Sequence, residues 1–161
     1  MSDQPNGFLE RGGAWVAIQF VLMTAVIGLA VVVHGDGTGL AVIAMGVALF
    51  LVGGVFGIGG LIVLGRNRTP FPQPREGSKL VQRGIYGVVR HPLYTSVMLA
   101  SLGWALIWQS GLALAVALAQ IPFFAAKAAR EERWLRGKFP DYAVYVTRVP
   151  RFLPRLLPPG G

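Results

Sequence analysis

Two short groups of residues in this chain have the types and spacing to do chemistry. The first is Arg90-His91-Pro92-Leu93-Tyr94 and the second is Lys127-Ala128-Ala129-Arg130-Glu131-Glu132. Pro92 suits the first position of a helix, where its missing N–H costs nothing and its fixed φ is already helical. The same ring pushes His91 out of helical geometry, so Arg90 and His91 are expected just ahead of a helix mouth. The free N–H groups and the dipole there favour an anion, and Arg90 adds to that preference. Read blandly, the same residues are a membrane-entry turn with an interfacial arginine and tyrosine.

In the second group, Lys127 and Glu131 are four apart and share a helix face, while Glu132 lies about 100° round from Glu131. Helical ion pairs worth a few tenths of a kcal/mol explain the basic residues. They explain less well why two adjacent acids sit among them. A carboxylate here can bind a cationic group while Arg90 and the helix mouth hold an anionic one. A small zwitterion with an apolar or aromatic portion suits both.

The elements that must position these groups are apolar. Of the 161 residues, 53% are hydrophobic and only 14% charged, which is far from an ordinary soluble domain. There are no cysteines, which excludes disulfides, thiolate zinc sites and a cysteine nucleophile. His34 and His91 are the two histidines; His34 has no carboxylate cluster beside it and reads as a solvated loop residue, so no metal site is expected. Met1 to Gly13 is short and polar. Residues 14–33 form an uninterrupted apolar run long enough to cross a bilayer, too long and too poorly flanked by basic residues for a signal peptide. A polar turn from His34 to Gly39 leads into 40–64, a second apolar run dense in glycine. No strand precedes those glycines and no phosphate-binding lysine or serine follows, so close helix packing is a better reading than a nucleotide loop.

Residues 65–92 are polar, with Pro70, Pro72 and Pro74 enforcing an extended start. Residues 93–108 and 112–127 are the third and fourth apolar runs, separated by the minimal turn Gln109-Ser110-Gly111. The last helix should kink at Pro122 and continue past the membrane to Trp134. The fold expected is therefore all-α, one polytopic membrane domain over residues 1–161 with about four transmembrane helices and a polar tail from Gly137.

Charge sets the orientation. The chain carries 15 Lys and Arg against 7 Asp and Glu, a net charge of +8. With four spans every Lys and Arg falls on one side, and the two short turns opposite carry none. That asymmetry places the basic side and both termini in the cytosol (the inner membrane, if the cell is bacterial). It also explains the basic excess without nucleic acid as a partner.

Five fragments in order carry a resemblance: Gly84-Ile85-Tyr86, Arg90-His91-Pro92-Leu93-Tyr94, Glu131-Glu132-Arg133-Trp134-Leu135, Phe139 to Tyr145, and Val149 to Pro154. Together they resemble the isoprenylcysteine carboxyl methyltransferase and phospholipid methyltransferase superfamily over roughly the C-terminal half. The resemblance implies S-adenosylmethionine bound at the cytosolic face by segments 65–92 and 128–161, and a lipophilic acceptor entering from the membrane lipids. It implies that Lys79, Leu80, Val81, Tyr86, His91 and Tyr94 line the cofactor pocket. Pro92 and Leu93 would supply backbone and shape, and Glu131 would hold the cofactor's polar end. Lys127 stands where isoprenylcysteine methyltransferases place a substrate-facing arginine; it keeps the charge and loses the bidentate fork. Ser96 and Pro140 replace two glycines of the pattern.

Methyl transfer from a sulfonium is an in-line displacement, so alignment supplies much of the rate. A carboxylate acceptor needs no base, whereas an amine must lose a proton, for which Glu132 or Tyr94 is a candidate. Arg90 and Glu132 are expected nearest the reacting atoms, with the tail from Phe139 to Pro154 folded over the cofactor. Two other readings stay open: an NADPH-dependent membrane reductase of the sterol reductase type, and a non-enzymatic accessory protein. The acceptor is a prenylcysteine-type carboxylate, a phospholipid-type amine or a thiol, and the glycine-rich second run offers a face for homo-oligomerisation.

Overall fold

The computed structural model describes residues 12–37, 39–65, 71, 77 and 79–155. Pro70, Pro72 and Pro74 lie outside the described residues, as do nearly all of the N-terminal polar stretch and the final prolines. Among the described residues there are five α-helices and no strand: α1 (Gly13–Val32), α2 (Leu40–Leu64), α3 (Pro92–Ile107), α4 (Gly111–Lys138) and α5 (Tyr142–Arg148). A 3-10 turn, Gly84–Gly87, precedes α3.

α1, α2 and α4, with 20, 25 and 28 residues, are long and apolar enough to cross a membrane, and this is an integral membrane protein. Their outward faces are Val, Leu, Ile and Phe exposed in the absence of lipid, as a bilayer solvent requires. α3 is apolar but has 16 residues, about 24 Å of rise, less than a full hydrocarbon core. α4 runs unbroken through Pro122 and ends at Lys138, four residues beyond the expected stop. The tail also holds a helix, α5, that the sequence did not announce.

Packing is uneven. α2 and α3 meet main chain to main chain: a Cβ on Gly46 would stand 2.8 Å from the Gly103 carbonyl oxygen, and one on Gly103 would stand 2.5 Å from that of Gly46. Gly53, Gly57 and Gly60 also face α3, so these glycines are the close helix-packing face expected of them, with α3 as the partner. Ser96, one of the departures from the family pattern, lies over Gly57, whose missing side chain leaves room for its hydroxyl. α4 packs on both α1 and α3. At the end away from the basic side, Ser110 caps α4 by accepting from the Ala113 N–H at 3.3 Å and donates to the Leu29 carbonyl at 3.3 Å. That one hydroxyl ties the α3–α4 turn to the end of α1.

At the opposite end the chain turns into α3. Gly84 adopts φ +59, with Val63 pressed against the position a side chain would take, so glycine is required there by both conformation and space. Pro92 sits at the start of α3 with His91 as N-cap at φ −125, as the proline rule predicts.

Candidate active site

The site is built where the start of α3, the last turns of α4 and the tail converge. Its centre is Glu132, only 1% exposed. Arg90 donates to Glu132 Oε1 from Nη2 at 2.9 Å and from Nε at 3.3 Å. Arg151 donates from Nε to Oε1 and from Nη2 to Oε2, each at 2.9 Å, a bidentate pair from the tail. Arg136, one turn along α4, adds a weaker contact at 3.6 Å. Two hydrogen-bonded guanidinium groups, a third in looser contact, and the His91 imidazole thus surround one buried carboxylate.

Arg90 also binds the tail's backbone. Its Nη1 donates to the carbonyls of Val146 at 3.1 Å and Val149 at 2.6 Å, at the open end of α5. The backbone N–H groups of Arg90 and His91 donate to the carbonyls of Pro150 and Arg151 at 2.9 and 3.1 Å. Thr95 adds a hydroxyl bond to the Phe152 carbonyl at 2.9 Å, and Tyr145 donates to the Tyr86 carbonyl at 2.6 Å. The tail is stitched to residues 86–95 along its length, over an apolar cluster of Tyr142, Tyr145 and Val149 that takes in Leu80, Leu135 and Phe139.

His91 bridges the two acids. Nε2 lies 3.2 Å from Glu132 Oε1 and Nδ1 lies 3.5 Å from Glu131 Oε2. Both ring nitrogens can donate at once only in the imidazolium. Burial disfavours that charged form, but hydrogen bonds and charge from Glu131 and Glu132 outweigh it and raise the His91 pKa above its ordinary 6.5. The ring stacks on Tyr94, centroids 5.3 Å apart and planes within 2°. Burial and nearby Glu131 push the Tyr86 hydroxyl well up, and burial takes Tyr145 to about 12. Both phenols stay protonated at physiological pH.

Glu131 differs from its neighbour. Its side chain keeps 27% exposure, and Oε2 accepts from the Tyr94 hydroxyl at 2.7 Å. The Lys127 ammonium lies 5.3 Å from the centre of the Tyr94 ring and donates to the side-chain oxygen of Gln19 on α1. Tyr142 contributes a buried hydroxyl with no partner among the described residues.

The structure therefore brings Arg90, His91, Tyr94, Glu131 and Glu132 into one connected cluster, with Lys127 a turn below Glu131. Pro92 is buried at the head of α3, Leu93 is half-buried beside it, and Tyr86 joins through the tail. Lys79 is exposed and Val81 half-buried on the run leading to the 3-10 turn. Arg151 and Gln19 were not singled out from the sequence. Arg151 lies within the Val149–Pro154 fragment, and Gln19 interrupts an apolar span, which is the signal that finds such residues.

Comparison with known proteins decides the family. The phospholipid methyltransferase family matches residues 41–141, from the start of α2 to the turn before α5. The chain belongs to that family. It is 34% identical over 161 residues to the cobalt-zinc-cadmium resistance protein CzcN of Cupriavidus metallidurans, covering 97% of this chain and 70% of that one. It is 31% identical over 113 residues to protein-S-isoprenylcysteine O-methyltransferase B of Arabidopsis thaliana, covering 68% of this chain and 57% of the plant protein. It is 35% identical over 83 residues to the nickel-cobalt-cadmium resistance protein NccN of Alcaligenes xylosoxydans xylosoxydans, covering 51% of this chain and 39% of that protein. The family match includes all of α3 and α4, hence every charged residue of the cluster except Arg151. Membership makes this a membrane methyltransferase.

Proposed function

We propose that this protein transfers a methyl group from S-adenosylmethionine to a lipophilic acceptor at the cytosolic face of a four-span membrane domain, α3 completing the span by borrowing neighbouring residues. The observation that carries the reading is Glu131, a partly open carboxylate held by Tyr94 and His91 at the mouth of α3. The residues fit the cofactor. Glu131 suits its ammonium, the stacked His91 and Tyr94 rings suit its flat base, and the unpartnered Tyr142 hydroxyl is a donor awaiting an acceptor. When bound, the cofactor supplies a methyl group on a positively charged sulfur.

The chain's own residues then divide the work. Glu131, Tyr86, His91 and Tyr94 bind and orient, with Pro92 and Leu93 setting the entrance and Lys79 to Val81 the outer wall. Arg90 and Glu132 stand beside the reacting region as positioning groups: Glu132 is fully engaged with Arg90, Arg151 and His91, so it holds the tail and the imidazolium and does not take a proton from an amine. Where the acceptor is an amine, the Tyr94–Glu131 pair is the group with a site for that proton. Lys127 faces the acceptor from within the bilayer. Metal resistance, in the names of two relatives, is compatible with such a reaction on a membrane component and adds no residue to the site.

Thermal-shift titration of the detergent-purified protein with S-adenosylmethionine, S-adenosylhomocysteine and NADPH tests the reading. A saturable shift with the first two alone is expected. A shift with NADPH alone would replace it by the reductase reading, and a folded sample silent to all three by the accessory-protein reading.

A further inference from the structure

Gln120 lies on α4 in the middle of the apolar bundle, fully buried, and neither its amide nitrogen nor its amide oxygen has a partner among the described residues. An amide left unpaired in hydrocarbon is costly, and native proteins keep such groups satisfied by protein, water or ligand. Seven residues separate it from Lys127, which puts both on one face of α4 with about 10 Å between them along the helix. The register of α1 against α4 shows what opposes each. Ala30 packs with Ala113, and Gln19 bonds Lys127. Between those two contacts the antiparallel helices set Gln120 against the level of Met23 and Val26, which offer it no hydrogen bond. Lys127 is thus matched by a polar residue from α1, while Gln120 meets an apolar stretch.

The geometry points to a two-point acceptor site along the α1–α4 seam: Lys127 takes an anionic head, and Gln120 takes a hydrogen-bonding oxygen in the chain about 10 Å deeper. The ligand class is an anionic amphiphile with a hydroxyl, ester or amide oxygen part-way down its hydrocarbon. An unbroken hydrocarbon tail leaves the Gln120 amide orphaned and binds less well, because a site that is built to pair a polar group loses most when that group is missing. The inference rests on the methyltransferase reading only in calling the ligand an acceptor.

The test uses the full chain in detergent and three fatty acids as probes. These are stearate, 10-hydroxystearate, whose extended chain puts a hydroxyl at about the required distance from the carboxylate, and 3-hydroxystearate, whose hydroxyl is out of reach. Native mass spectrometry reads their relative affinities. The wild-type protein should prefer 10-hydroxystearate about tenfold over the other two, the ratio that one hydrogen bond in an apolar site supplies. Q120L and Q120M, which keep the volume and remove the amide, should abolish the preference and leave the thermal shift with S-adenosylmethionine unchanged. Equal binding of all three acids by the wild type overturns the proposal and leaves a trapped water as the partner of Gln120. Binding of none overturns it, and so does a preference that survives in both variants. The cofactor shift is read separately: its absence counts against the methyltransferase reading, whereas loss of the lipid preference alone counts only against the Gln120 site.

Discussion

Arg151 and Glu132 form a bidentate pair in which both donor–acceptor distances are 2.9 Å, and it fastens the tail to the last turns of α4. The pair matters because Glu132 also holds Arg90 and His91, so the tail and the mouth of α3 share one carboxylate. Removing Arg151 leaves Glu132 compensated by Arg90 but loosens the tail, which then relies on its bonds to residues 86–95. R151A should lower stability by about 1–2 kcal/mol and open the segment after α5 to protease. R151K, which keeps the charge without the fork, should recover only part of it. Thermal unfolding with limited proteolysis reads both.

Glu131 and Glu132 are neighbours with opposite expected phenotypes. E132Q leaves two guanidinium groups around a neutral amide and should destabilise by about 3 kcal/mol, the scale of breaking a buried pair on one side. E131Q, at a partly open carboxylate, should fold with little change in Tm yet weaken cofactor binding by tenfold or more. Comparing Tm with the S-adenosylmethionine titration for both variants separates the roles. Equal loss of stability in the two would contradict the assignment.

His91 supplies a pH dependence. Its folded pKa lies above the ordinary 6.5, so the folded state holds the proton more tightly than the unfolded chain. The stabilisation is fully present below pH 6.5 and is lost as pH rises through the higher folded value. Between pH 6 and the alkaline side of that value, the Tm of the wild type should therefore fall more steeply than that of H91N. Parallel curves would show that the imidazolium bridge contributes nothing.

The α2–α3 contact gives a prediction independent of chemistry. A methyl group at Gly103 would stand 2.5 Å from the carbonyl oxygen of Gly46, both on rigid helices. G103A should cost about 2 kcal/mol or more by forcing the helices apart, while G54A, where nothing stands within 4 Å, should be neutral. Unfolding of the two variants in detergent measures the difference.

Much of this was legible in the sequence, for identifiable reasons. Pro92 fixed where α3 begins and which residues crowd its mouth, because a ring that constrains φ acts locally. The apolar runs gave α1, α2 and α4 to within a few residues because hydrocarbon solvent demands length. Glu131 and Glu132 read as a pair of candidate acids, but which one is buried depends on where α3 and the tail lie. Helical periodicity separates them by angle and does not say what each angle faces. Arg151 was invisible for the same reason, since its partner is 19 residues away and across an intervening helix. The glycines of α2 read correctly as a packing face, while the partner helix was a matter of topology.

The stitching of residues 145–152 onto residues 86–95 carries a consequence for how the protein is made. The hydrophobic helices can enter the bilayer as they leave the ribosome, one after another, with no need of the tail. The groups that Arg90, His91 and Thr95 require are the carbonyls of Val146 to Phe152. Until Phe152 has been synthesised, the nascent chain is therefore an inserted membrane protein whose charged cluster is unassembled. Insertion of the helices and assembly of the charged cluster are thus separable, and the second needs residues up to Phe152.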